Sequence, residues 1–167
     1  MEKSSVIILD KDQINHKVKR IAYQIYESNV EEDIIILAGI ADSGFELARR
    51  LQVELKNISN LNVLLCEVKV NKKNPLDKIT TSLAPRDYED KALVLIDDVL
   101  NSGTTLIYGV RHFLEVPLKR FKTAVLVDRS HKKYPVKADF KGISLSTSIH
   151  ETVNVSFSEE EDRVELI

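Results

Sequence analysis

The stretch VLIDDVLNSGTT, Val94 to Thr105, joins a buried strand, two adjacent carboxylates and a turn of small residues that leads into a helix. Leu93 to Ile96 lacks polar alternation, as in a strand covered on both faces of a parallel sheet. Asp97 and Asp98 follow at its carboxyl end. Neighbouring side chains on an extended backbone point to opposite faces. Carboxylates this close repel unless hydroxyls, a metal ion or water compensate them. A ribose diol with Mg²⁺ meets that need. Asn101, Ser102, Gly103, Thr104 and Thr105 tolerate a tight turn, and the spacing of Leu106, Val110, Phe113 and Leu114 predicts a helix after it. Free amides at a helix start face an anion. Gly103 lets the backbone approach a phosphate, and Ser102, Thr104 and Thr105 offer hydroxyl donors. Taken one at a time, the same residues describe an ordinary strand end with an Asx turn and a Ser/Thr cap. The whole ordered set predicts a sugar-phosphate grip.

The rest of the chain bounds what that grip belongs to. Its 167 residues, 43% of them hydrophobic, suffice for one domain with a full core. With 24 Lys plus Arg against 26 Asp plus Glu, the net charge of −2 provides no global attraction to nucleic acid or to anionic membranes. A single cysteine, Cys66, cannot form an internal disulfide, and its apolar neighbours Val63 to Leu65 make it a buried filler rather than a nucleophile. No apolar leader follows Met1 and no stretch approaches a membrane span, which predicts a soluble, cytoplasmic protein without a membrane partner.

Strands and helices alternate, which predicts an α/β sheet. Val6 to Leu9 is a first strand. Asp10 or Asp12 caps a helix that buries Ile14, Val18, Ile21, Ala22 and Ile25. Asp33 to Ala38 is a second strand, ended by Gly39, and a helix from about Gly44 turns Phe45, Ala48, Leu51 and Leu55 inward. Further strands are expected at Val63 to Val70, Lys91 to Ile96 and Lys122 to Val127. In open α/β sheets ligands bind beyond the carboxyl ends of the strands. That rule singles out the turn Gly39 to Gly44, which either presents amides to a second anionic group or is a plain strand-to-helix turn. Residues 71–90, polar and broken by Pro75 and Pro85, form a lid or binding arm, or else a linker or projecting hairpin. Lys72, Lys73, Lys78 and Arg86 reach over a phosphate-rich ligand or stay solvated.

VLIDDVLNSGTT resembles the phosphoribosyl-diphosphate signature of type I phosphoribosyltransferases. VLVDRSHKKYPVKADFKG, Val125 to Gly142, is similar to a segment of the bifunctional pyrimidine operon attenuator and uracil phosphoribosyltransferase family. The opening helix and the GI..G turn align in order. The resemblance implies the type I fold, a central mostly parallel sheet flanked by helices with a small hood, as a single domain over 1–167 with a flexible lid or arm at 71–90 and a base-side hood and C-terminal strands at 128–167. It also implies transfer of a 5-phosphoribosyl group from phosphoribosyl diphosphate to a nucleobase, uracil in the nearest family, and a homo-oligomer of two or more copies. By the same resemblance Asp97 and Asp98 hold the ribose hydroxyls, directly or through Mg²⁺ and water. Asn101 to Thr105 cradle the 5′-phosphate, Ala41, Asp42, Ser43 and Gly44 form the pyrophosphate loop, and Asp128, Arg129, Ser130 and His131 border the base. His131 either polarises the base or is structural, and Lys137 and Asp139 either serve the site or pair with each other.

The chain departs from the family at telling places. Ser43 stands where a basic residue usually precedes the second glycine, and Asp42 adds negative charge where an anionic substrate arrives; both weaken diphosphate binding and bear on turnover. Arg86, Asp87 and Tyr88 match the content of the family's lid motif in another order. Two other readings therefore stay open. One is a nucleotide-sensing, RNA-binding regulator of pyrimidine genes, with His16, Lys17, Lys19, Arg20, Arg49 and Arg50 as a basic face, residues that equally describe two solvated helix surfaces. The other is a catalytically weakened ligand-binding homologue.

Overall fold

The computed structural model describes residues 4–167, so Met1 to Lys3 of the expected 1–167 domain lie outside the described residues. In chain order the elements are β1 (Val6–Leu9), α1 (Lys11–Ser28), β2 (Ile34–Ile40), α2 (Ser43–Ile58), β3 (Asn62–Lys69), β4 (Thr80–Thr81), α3 (Pro85–Tyr88), β5 (Ala92–Leu100), α4 (Thr104–Phe113), β6 (Arg120–Asp128), β7 (Phe140–Ser144), β8 (Val153–Ser156) and β9 (Arg163–Leu166).

Local chemistry explains the first helix. Asp10 accepts from the backbone N–H of Gln13 at 2.9 Å while the Gln13 side chain accepts from the N–H of Asp10 at 3.0 Å, a reciprocal cap that satisfies two N-terminal donors. Beyond the cap, Ile14, Val18, Ile21, Ala22 and Ile25 are all buried along the stripe their spacing predicts. The apolar run of β5 lies in the middle of a six-stranded sheet ordered β4-β3-β2-β5-β6-β7. Five of these strands run parallel, and only β4 is antiparallel. One face packs against α1 and α2, joining Ile14, Ile21, Leu47 and Leu51 to Leu37, Val94 and Ile96. The other packs under α4, where Leu106 and Phe113 meet Ile36, Leu93 and Leu95. Because β2, β5 and β6 are parallel, the loops after all three emerge at one end of the sheet, beyond the carboxyl ends of the strands.

Several sequence expectations change in the folded chain. β1 does not join the large sheet; it pairs antiparallel with β9, which pairs with β8 in a separate three-stranded sheet. Val6 and Ile7 are 56% and 55% exposed, unlike the strands covered on both faces. On α2, Leu47 rather than Phe45 faces inward with Ala48, Leu51 and Leu55, and Phe45 lies half-buried beneath the Arg49 guanidinium, 5.9 Å from its ring centre. α4 stops at Phe113, so Leu114 is 60% exposed, and the inward place is taken by Gly109 against Leu95. β5 continues past Ile96 through both aspartates to Leu100. Residues 71–90 are partly structured: β4 makes a short hairpin with β3, and Tyr88 is buried with its ring 5.1 Å from that of Phe113, edge on. Arg86, Asp87 and Tyr88 thus sit before the amino end of β5, at the opposite end of the strand from Asp97. Cys66 is buried, which pushes its thiol pKa up, in keeping with an inert filler.

Candidate functional site

Strict alternation along β5 would put Leu95 and Leu100 on opposite faces, and likewise Ile96 and Val99. Instead Leu95 and Leu100 share one apolar cluster, while Ile96 and Val99 share the other. The alternation breaks once between Ile96 and Val99, around the two aspartates, and both of these residues line one cavity of about 100 Å³. Local hydrogen bonds hold the irregular tip: Asp97 Oδ1 accepts from the N–H of Asp98 at 2.9 Å, and Asp98 Oδ1 accepts from the N–H of Val99 at 2.8 Å.

Asn101, Ser102, Gly103, Thr104 and Thr105 line the same cavity, together with Lys72 from the loop after β3. Gly103 has φ +85°, the left-handed conformation that glycine adopts without penalty. A β-carbon on it would meet Val136 Cγ1 at 2.6 Å. Ser102 and Thr104 join hydroxyls at 2.8 Å, and the Ser102 carbonyl accepts from the N–H of Lys133 at 2.7 Å, anchoring the turn from the segment after β6. α4 begins at Thr104 with no side-chain cap from Gly103 and no acid in its first turn. Gly103 to Leu106 line the cavity, so the positive end of α4 adjoins it, with the N–H of Thr104 donating to Ser102 Oγ at 3.3 Å.

Burial drives the Asp97 pKa well above the usual carboxylate range, and the charge of Asp98 pushes it the same way; Lys72 opposes both. A cation or a set of hydroxyl donors in the cavity would relieve this strain.

The turn expected at Ala41 to Gly44 adjoins the cavity without lining it. Ala41 donates to the carbonyl of Val68 at 2.8 Å, the Ala41–Asp42 peptide is cis, and Asp42 is exposed. Ser43 is half-buried, and Gly44 is packed on the β5 tip. On the other side, Asp128 is buried at the end of β6 and accepts from the N–H of Ser130 at 3.0 Å. Ser130 itself is exposed with φ +61°. Arg129 points inward, where its guanidinium meets Asn101 and Thr147. His131 has Nε2 at 2.6 Å from the carbonyl oxygen of Thr147, an atom that can only accept, so Nε2 carries the proton. Lys137 and Asp139 pair at 3.4 Å, and Asp139 also accepts from the N–H of Thr123.

The expected basic face loses Arg50 to an internal ion pair, while Arg20 stays exposed. Arg20 donates to the carbonyl of Gly142, and Arg50 grips the buried Asp162 through two N–H donors at 2.5 Å and 3.0 Å. His16, Lys19 and Arg49 are exposed and Lys17 half-buried. Sequence reasoning did not foresee Thr147 and Glu151 as neighbours of the site, because no local pattern links them to Asn101. Among the described residues, no helix is long and apolar enough to cross a membrane.

Comparison with known proteins places the chain in a family. A model of the phosphoribosyl transferase domain matches residues 6–162. The chain is 35% identical to the Bifunctional protein PyrR of Streptococcus agalactiae, over 96% of this chain and 95% of that one. It is 34% identical to the protein of the same name from Oceanobacillus iheyensis, over 98% of each. Among solved structures, a hypoxanthine phosphoribosyltransferase of Trypanosoma cruzi superposes with a TM-score of 0.74 at 18% identity, covering 88% of this chain and 83% of that one. A hypoxanthine-guanine phosphoribosyltransferase of Bacillus anthracis does so with a TM-score of 0.72 at 20% identity, covering 87% and 85%. These two likenesses establish the fold.

Proposed function

Since the chain belongs to the phosphoribosyl transferase domain family and has the type I fold, we propose that it transfers the 5-phosphoribosyl group of phosphoribosyl diphosphate to uracil. The observation that carries this reading is the shared cavity at the β5 tip, where Asp97 and Asp98 meet the start of α4. In this reading the two carboxylates take the ribose hydroxyls, and Asn101 to Thr105 take the 5′-phosphate with backbone amides and hydroxyls. Ala41 to Gly44 contact the pyrophosphate, and Asp128 to His131 border the base.

The chemistry needs little more than placement. A ribosyl centre that loses pyrophosphate develops positive charge, so rate comes from aligning both reactants and neutralising the departing anion. Lys72 is the protein cation best positioned to oppose negative charge in the cavity. Among the described residues no group of three or more His, Cys, Asp or Glu side chains forms an all-protein metal cage. Two adjacent carboxylates, one of them buried, suit Mg²⁺ shared with the oxygens of the substrate. Bound there by Asp97 and Asp98, directly or through water, the ion would supply charge neutralisation to the pyrophosphate.

The test is incubation with phosphoribosyl diphosphate, Mg²⁺ and a panel of bases. Uridine monophosphate and pyrophosphate are the expected products. Bound diphosphate with no nucleotide formed from any base would overturn the transferase reading and leave a ligand-binding homologue.

A second reading, RNA binding under nucleotide control, is favoured by the word bifunctional in the names of the relatives. With Arg50 paired to the buried Asp162, its basic face is left with His16, Lys17, Lys19, Arg20 and Arg49. Affinity for a leader RNA that falls steeply with salt and responds to uridine nucleotides would support it. Salt-insensitive binding would count against it.

A further inference from the structure

Arg129 is 9% exposed, yet it forms no ion pair within the protein among the described residues. Its guanidinium is spent on neutral acceptors instead. Nη1 donates to Asn101 Oδ1 at 2.9 Å; Nε and Nη2 donate to Thr147 Oγ1 at 3.1 Å and 2.9 Å; Nη2 also donates to the carbonyl of Glu151 at 2.5 Å. All three nitrogens are engaged, which leaves little of the group to contact a ligand.

The two ends of this bridge have different anchors. Thr147 and Glu151 belong to a segment closed on itself by a 2.6 Å bond from the N–H of Ser148 to Glu151 Oε2. That segment is pinned to the chain end by paired bonds between Thr152 and Ile167, each 2.9 Å. Asn101, by contrast, is an exposed residue of the turn that lines the cavity.

The chemistry of the contact decides how Asn101 is presented. A guanidinium has donors only. It therefore accepts the carbonyl end of the Asn101 amide as its neighbour and rejects the NH₂ end. With Oδ1 committed to Arg129, the end left on that amide is Nδ2, a donor, which an anion requires. An unrestrained amide would be free to rotate and offer its oxygen to the phosphate instead.

Resting on the reading of the turn as a 5′-phosphate cradle, we infer that Arg129 is a positioning residue: anchored by Thr147 and Glu151, it fixes Asn101 with its amide donor available to the phosphorylated pentose. The segment 147–151 thereby sets phosphate affinity without lining the cavity. Thr147 is the informative position, because it touches Arg129 through its hydroxyl and lies outside the cavity lining.

Calorimetric titration of the full chain with ribose 5-phosphate provides the test. Thr147→Val removes the acceptor and keeps the shape, and it should raise Kd about tenfold, the scale of one lost hydrogen bond to a charged donor. Thr147→Ser keeps the hydroxyl and should stay within about twofold of the wild type by the same measure. In an Asn101→Ala background, Thr147→Val should have no further effect, since the group it positions is gone. Thr147→Ala replaces the valine variant if melting shows that valine disturbs the fold. Unchanged affinity in the hydroxyl-less variants overturns the inference, and so does a loss that adds fully to that of Asn101→Ala, which would report general loosening. A wild-type protein that binds no ribose 5-phosphate overturns the functional reading itself, and this inference with it.

Discussion

A β-carbon on Gly44 would stand 3.0 Å from Cα of Asp97 and 3.2 Å from its Oδ1, so the first turn of α2 rests directly on the buried carboxylate. The carbonyl oxygen of Ile96 would be closer still, at 2.8 Å. Backbone cannot step aside as a flexible side chain does. Gly44→Ala should therefore cost about 1–3 kcal/mol of stability, the usual range for overpacking, and should weaken ribose 5-phosphate binding by displacing Asp97. Urea unfolding and calorimetric titration measure the two effects; a stable variant with native affinity would refute the close packing.

Asp97 makes stability fall with pH. Burial first, and then the charge of Asp98, raises its pKa in the native state alone. Between the ordinary aspartate value of about 4 and the raised native value, the native state binds more protons than the unfolded one, so stability is lost as pH rises through that window. Asp97→Asn, which cannot ionise, should melt higher than the wild type at neutral pH, with the gap closing in acid. Ribose 5-phosphate with Mg²⁺ should stabilise the wild type and not the variant. A variant that melts below the wild type at neutral pH without ligand would contradict this.

Asp98 is half-buried and faces the same cavity. Asp98→Asn should reduce affinity for phosphoribosyl diphosphate without unfolding the protein, because a ligand-facing carboxylate contributes little to the core. Unaltered affinity would point to a purely structural strand tip.

Gly103 combines a positive φ with a neighbour, Val136 Cγ1, only 2.6 Å from where a β-carbon would stand. Gly103→Ala should cost about 1–2 kcal/mol for the left-handed backbone alone, with a further loss from the contact. Adding Val136→Ala should restore the second part and not the first. Equal stability of the single and double variants would show that the contact is relieved some other way.

The pair Arg50 and Asp162 ties α2 to the loop between β8 and β9. Asp162 is 3% exposed and bonded in bidentate fashion, and Arg50 also lies 4.4 Å over the Phe157 ring. Hydrogen bonding to Arg50 holds the Asp162 pKa below its usual range. Its contribution is thus present above the ordinary aspartate value and lost as pH falls through the lowered native one. Asp162→Asn should cost roughly 2–3 kcal/mol at neutral pH and flatten the acid limb of a stability profile. An unchanged acid limb would assign that limb to other carboxylates.

Local signals made much of this legible. The buried stripe of α1 and its Asp10–Gln13 cap lie within a few residues of one another, so spacing alone reveals them. The apolar run before Asp97 announces a strand covered on both faces, and the small residues after Leu100 announce the turn and helix that follow. Even the choice of inward residues on α2 was nearly readable, with Leu47 replacing Phe45 once the helix met the sheet.

The remainder depends on contacts between distant parts of the chain. β1 pairs with β9 from the other terminus, Arg50 reaches Asp162, and Arg129 joins Asn101 to Thr147. No periodicity encodes such partners, because each depends on how the packed layers bring loop ends together. The sequence by itself determined the first strand, the three long helices and the parallel strands β2, β3, β5 and β6, and that acids, hydroxyls and a glycine cluster after one of them, since those follow from near neighbours along the backbone. Only the tertiary structure decided that both aspartates share one cavity, that Arg50 is paired with Asp162, and that Arg129 turns inward, because each outcome depends on the geometry of residues far apart in the chain.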